Sequence, residues 1–230
     1  MRNLLKSLLA SFIVTIFFAG CSDDKKDSTN ATLSFMTEQV LGKSSVPGAL
    51  TIDTAKILIT RIKFENQGDS DSSDFRSGPI VVNLNLNGAV QTVEAANIPQ
   101  GIYDHIKFEL HKPNANESIP DPDFITGSSG NDRYSIIIIG TYNSSRFVFR
   151  SRNTINQSFN IDPALIIADS IGTANLTLAV NITNWFSDGD GGYLDPTDVN
   201  ASNVSAIENT IKDSFRGFKD NDKDGNQNDK

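Results

Sequence analysis

The 230-residue chain reads as all-β, a two-sheet sandwich of Greek-key type with one C-terminal α-helix. Three observations carry that expectation. Apolar and polar residues alternate with period two through most of the chain, as in strands with one buried and one wet face. Turn-forming clusters such as Asn87-Gly88, Pro99-Gln100-Gly101 and Asp162-Pro163 separate about eight such runs. A helical stripe occurs once, near the C-terminus. Short strands at this spacing predict a sandwich, with a closed barrel as the alternative.

The chain opens with Arg2 and Lys6, an almost unbroken apolar run from Leu8 to Phe18, and the small pair Ala19-Gly20 before Cys21, its single cysteine. The run is shorter than the roughly 20 apolar residues a spanning helix needs, and a cationic start, apolar middle and small residues at the cut are the parts of an export signal. Phe18-Ala19-Gly20-Cys21 resembles the lipobox of bacterial lipoproteins, with Phe18 where leucine is usual. That resemblance implies cleavage after Gly20 and diacylation of Cys21. The alternative is an ordinary secretory signal ending in a chance cysteine, but a lone thiol in an exported chain needs a reason. Each buried CH₂ contributes about 0.8 kcal/mol, so several acyl chains anchor where one would not.

Residues 1–20 are thus expected to be a signal peptide and 21–30 an acidic linker. Ser22-Asp23-Asp24 resembles the tether that sends some Gram-negative lipoproteins to the outer face of the outer membrane, although any such polar stretch also makes a solvated linker. The expected location is the outer membrane, lipid-anchored at the cell surface, with the periplasmic face as the alternative.

The formal charge is −8, and it becomes −10 when Arg2 and Lys6 leave with the signal. No Lys/Arg-rich cluster able to neutralise phosphates is present, so nucleic acid is not an expected partner. Arg146, Arg150 and Arg152 alternate with Phe147 and Phe149 as an exposed strand face would. With Cys21 committed to the anchor, no disulfide is available, and the mature chain is long enough to bury a core as one domain.

That domain is expected over residues 31–186. Ala31 to Met36 opens it, and Lys56 to Glu65 follows with Ile57 and Ile59 out of phase with Ile62 and Phe64, as a bulge would make them. Ile80, Val82, Leu84 and Leu86 share one face. Asp104, Ile106, Phe108 and Leu110 oppose Tyr103, His105, Lys107, Glu109 and His111. The continuous apolar run Tyr134 to Ile139 suits a strand buried on both faces. Ile155, Phe159 and Ile161 then face away from Asn156, Ser158 and Asn160, and Ala174, Leu176, Leu178, Val180 and Ile182 from Asn175, Thr177, Asn181 and Thr183. Ala164 to Ala168 is expected to make one short helical turn.

The stretch from Asn97 to Phe108, with Pro99, Gly101 and Tyr103 spaced Pro-x-Gly-x-Tyr, resembles a segment of an uncharacterised immunoglobulin-like or transthyretin-like domain of bacterial surface lipoproteins. Residues 31–184 would fall within it. Thr37-Glu38-Gln39 departs from the Asp-Ala-Pro usual after its first strand. The resemblance implies a fold and a location, and no activity.

Residues 187–230 supply an acidic loop, an amphipathic helix and an Asp-rich tail. Val204, Ile207, Ile211, Phe215 and Phe218 form one helical stripe, with Asn200 or Ser202 as N-cap. Directly after it, Asp220, Asp222 and Asp224 alternate and Gly225 stands sixth. That pattern lets oxygens converge on a hard cation while the chain turns sharply. It resembles the first half of an EF-hand loop, with Asn226 offering its backbone carbonyl. Counting from Asp220, the twelfth position is 231, one beyond Lys230, so the bidentate glutamate is missing and weak Ca²⁺ binding is expected. Asp188 and Asp190 in the earlier acidic loop are further candidate ligands that would complete this site. A solvated acidic tail is the alternative.

Enzymatic signatures are scarce. His105 and His111 would lie roughly 20 Å apart along a strand, too far to share a metal ion. Neither Gly-x-Ser-x-Gly, His-Glu-x-x-His nor a phosphate-cradling glycine loop occurs. Trp185, Phe186 and Tyr193 beside the Asp188 loop allow a sugar platform, although core closure suits Trp185 and Phe186 better. The expectation is a non-enzymatic lipoprotein acting as a binding or structural module, with a protein or glycan ligand and a weak stabilising calcium site. A carbohydrate-binding accessory protein is the alternative, and an unrecognised hydrolase the last.

Overall fold

The computed structural model describes residues 29–38, 50–66, 72–168, 170 and 172–227. The expected signal peptide (residues 1–20), Cys21 and the expected tether Ser22-Asp23-Asp24 lie outside the described residues. Ten strands are present: β1 (Ala31–Thr37), β2 (Thr51–Asn66), β3 (Ser72–Asn83), β4 (Gln91–Ala96), β5 (Gly101–Leu110), β6 (Ile136–Tyr142), β7 (Ser145–Ser151), β8 (Ile155–Ile167), β9 (Ala174–Val180) and β10 (Phe215–Lys219). One α-helix, α1 (Ala201–Lys212), joins them.

The strands form two sheets rather than a closed barrel. The smaller runs β10-β9-β1-β4 and the larger β7-β6-β2-β5-β8, with β3 also on β2. The β1–β9 pair is parallel and every other pair antiparallel. The apolar faces of both sheets meet in one core, where Leu33 and Phe35 of β1 and Leu176 and Leu178 of β9 oppose Ile62, Ile106 and Phe108 of the larger sheet.

The long strand β2 is the hub, and its phase break is a bulge. Ile59 pairs with Ile80 while Arg61 pairs with Ser77, so Thr60 alone faces Gly78 and Pro79. Proline has no ladder donor and Gly78 has φ +110, a combination suited to an interruption in a strand. A second bulge explains a misplaced face. Glu65 pairs with His105 and Asn66 with Tyr103, leaving Asp104 as the extra residue. Tyr103, expected outside, is therefore fully buried against Phe64. Its hydroxyl donates to the Pro99 carbonyl at 2.8 Å. A Cβ at Gly101 would sit 2.5 Å from Asn66 Oδ1, so the Pro-x-Gly-x-Tyr spacing has a local packing cause.

The continuous apolar run around β6 also has a physical reason. Ile136 and Ile138 face the main core, while Ile137 is covered on the other face by Phe124, Tyr134 and Leu58. Lys56 pins that covering loop to β2 by donating to Asp121 at 2.6 Å and Asp123 at 2.8 Å.

Three further expectations are corrected. The short helical turn at Ala164–Ala168 is instead strand up to Ile167, because Leu165 to Ile167 continue the pairing of β8 with Tyr103 to Gly101. The helical stripe ends at Lys212, and Phe215 and Phe218 belong to β10, paired with Val180 and Thr177 of β9. Thus a segment expected outside the sandwich completes its smaller sheet. Asn175 and Thr177, expected on a wet face, are fully buried.

Helix α1 is N-capped by Asn200, whose side chain accepts from the Ser202 N–H, and buries Ile207 and Ile211 near Trp185. Its Glu208 accepts a 2.6 Å hydrogen bond from Ser151 at the end of β7 and another from Asn153. Trp185 closes the core beneath it, donating from Nε1 to Ser214 at 2.7 Å.

Candidate metal centre

The acidic segment after β10 folds back over the outer face of the smaller sheet. Strand β10 delivers Asp220 beside Asn175 at the start of β9, where the Asp220 N–H donates to the Asn175 carbonyl at 3.0 Å. The Asn175 amide returns a bond to the Asp220 carbonyl at 2.7 Å and one to Thr177 at 3.1 Å. Thr177 in turn donates to Asp220 Oδ2 at 2.6 Å. On the other side, Thr32 and Ser34 of β1 both donate to Asn175 Oδ1 at 2.8 Å. The cover over these polar groups is the loop itself, and buried polar groups persist where every member finds a partner.

The loop then turns within eight residues. Lys223 has φ +60 and Gly225 φ +80, both left-handed. The Gly225 N–H points at Asp220 Oδ1 at 3.4 Å, the sixth position closing on the first. The Asp224 N–H donates to Asp222 at 3.2 Å, and Asn226 donates to both oxygens of Asp224, at 2.7 Å from its N–H and 2.9 Å from its amide. Lys223 reaches across to Thr92 of β4 at 2.9 Å, and Gln227 to the Asp162 carbonyl at 3.1 Å.

This brings one carboxylate oxygen each from Asp220, Asp222 and Asp224 within 4.8 Å of one another. A calcium ion sits about 2.4 Å from its oxygens, so ligands on one ion stand at most about twice that apart. The triad meets this limit, and an all-oxygen set suits a hard cation. Asp220 is buried and Asp222 and Asp224 exposed, leaving an open side for water. Burial pushes the Asp220 carboxyl above its ordinary value, and the charges of Asp224 and Asp222 add to this, against the hydrogen bonds from Thr177 and Gly225. A cation would relieve both the desolvation and the repulsion.

Asp188 and Asp190 are not brought to this triad. Val180, at the far end of β9, pairs with Phe215, and the Asp188 loop follows that end. Roughly 16 Å of strand separates it from Asn175. There Asp188 Oδ1 accepts the Asp190 and Gly192 N–H groups at 2.9 and 2.8 Å, which closes its own turn. Asn226 acts as a brace for Asp224. Reading the sequence missed Asn175, Thr177, Thr92 and Lys223, whose roles depend on cross-strand neighbours.

A cavity of ≈ 620 Å³ beside the Asp188 loop is lined by Glu38, Asp188 and Asp213. Glu38 is held by Arg216 and Asp188 by its own turn. Trp185 and Phe186 are fully buried, as core closure requires, and Tyr193 is 39% exposed. His105 is bonded to Asp104 at 2.6 Å. No helix among the described residues is long and apolar enough to cross a membrane. No protein-family model matches the chain, and no curated protein or solved structure is significantly similar to it.

Proposed function

We propose that this chain is a non-enzymatic lipoprotein, anchored in the outer membrane through Cys21 and displayed at the cell surface, which serves as a binding or structural module with a calcium-steadied C-terminal loop. The observation that carries the calcium reading is the convergence of Asp220, Asp222 and Asp224 within 4.8 Å on a loop held by the smaller sheet. Bound calcium would supply charge neutralisation there, tightening the loop over Thr32, Ser34, Asn175 and Thr177. Support for the anchor comes from the Phe18-Ala19-Gly20-Cys21 sequence.

Calorimetry on the purified protein tests the calcium reading, with saturable binding expected in the submillimolar to millimolar range of extracellular modules. An absence of binding at several millimolar calcium reduces the loop to a hydrogen-bonded cover. Cys21→Ser tests the anchor separately. It should shift the protein from the membrane fraction to a soluble or unprocessed form, and normal processing with unchanged membrane fractionation overturns the lipoprotein reading.

A further inference from the structure

Strand β7 ends the larger sheet, pairing with β6 on one side only among the described strands. Its outward side chains are Arg146, Val148 and Arg150, while Phe147 and Phe149 point into the core. Neither the Arg146 nor the Arg150 side chain makes a hydrogen bond or ion pair among the described residues, in a chain with 28 Asp and Glu. The Arg150 and Arg152 guanidiniums lie 5.4 and 5.3 Å from the centroid of one ring, that of Tyr134, which orients them at the surface. A groove of ≈ 430 Å³ runs beside them, lined by Val148, Arg150, Arg152, Pro196, Val199 and one acid, Asp198. Val199 is 90% exposed.

We propose that this edge takes up an extended peptide segment, with carboxylates flanking one apolar residue, as an added strand along β7. A terminal strand offers its free backbone row to such a partner. Side chains on one face of an added strand recur every second residue, so an acid, apolar, acid series stands beside Arg146, Val148 and Arg150. Guanidinium groups pair carboxylates through two parallel hydrogen bonds, and the apolar residue meets Val148 and the Val199 wall. With a net charge of −8 the chain as a whole opposes acidic peptides, so capture of one needs a local cationic strip such as this. The inference is independent of the calcium loop and of Cys21.

The test is fluorescence anisotropy of the purified protein with a labelled peptide carrying Glu-Thr-Val-Thr-Glu. Saturable binding is expected, weakened at least about tenfold by Arg146→Glu with Arg150→Glu. Loss is also expected when the peptide glutamates become lysines, and when its threonine amides are N-methylated to block the ladder. Circular dichroism of the double variant checks that it is folded. Absence of saturable binding, or equal affinity for the folded double variant, overturns the proposal and leaves the arginines as protection of an edge strand. Arginine-dependent binding to anionic phospholipid vesicles without peptide binding also overturns it, in favour of a membrane-facing strip.

Discussion

The Thr177 hydroxyl donates to the Asp220 carboxylate at 2.6 Å, joining β9 to the start of the acidic loop. The bond is one link of a longer series. Lys223 donates to Thr92, Thr92 shares a hydrogen bond with Ser34, Ser34 donates to Asn175, Asn175 to Thr177, and Thr177 to Asp220. A cation and a buried anion three residues apart are thus linked through four uncharged side chains of the sheet. The loop and the sheet face it covers behave as one polar unit.

Thr177→Val removes the donor to Asp220 and the acceptor for Asn175 while keeping the shape. Leaving buried polar groups unmatched costs about 1–3 kcal/mol. Thermal unfolding should therefore show a midpoint lower by roughly 3–10 °C. A change under about 1 °C would mean that water replaces the hydroxyl.

Asp222→Ala with Asp224→Ala should leave the fold intact, since both carboxylates are exposed. For the native chain, calcium at about ten times Kd should add roughly 1.4 kcal/mol of stability. The melting midpoint should rise with calcium in the native protein and stay level in the double variant. Equal rises in both would place the ion elsewhere.

Gly225→Ala tests the turn. The residue has φ +80, and an added Cβ would lie 3.1 Å from the Met36 sulfur and 3.2 Å from a Val90 methyl. Strain of about 1–3 kcal/mol is expected from such a backbone conformation, together with weaker calcium binding. Unchanged stability in a denaturant titration would show that the loop can shift away from Met36.

Glu208 gives a pH signature. Burial holds its carboxyl above the ordinary value of 4.5, with the Ser151 hydrogen bond and the charge of Arg152 acting in opposition. A raised acid favours the folded state when protonated. Its contribution is complete below the unfolded pKa and is lost as pH rises through the folded one. Native stability relative to Glu208→Gln should therefore increase as pH falls from neutral through 4.5. A pH-independent difference between the two melting curves would assign Glu208 a purely packing role.

The alternation of Ile80, Val82 and Leu84, or of Ile106, Phe108 and Leu110, determined the sandwich directly, because period two is a local property of a half-buried strand. The spacing of Asp220, Asp222, Asp224 and Gly225 likewise marked the loop, since carboxylates at alternate positions of one turn are brought together by local backbone geometry. Phe215 and Phe218 were misleading for the opposite reason. Their separation of three continues the stripe of α1, and only the vacant edge of β9 turns that segment into a strand. Asn175 and Thr177 looked solvent-facing because alternation reports two faces without saying what covers either one. The covering loop lies more than 40 residues away in the chain, and its choice of Asn175 over the Asp188 end of β9 is set by the antiparallel register of β10, which only the folded sheet fixes.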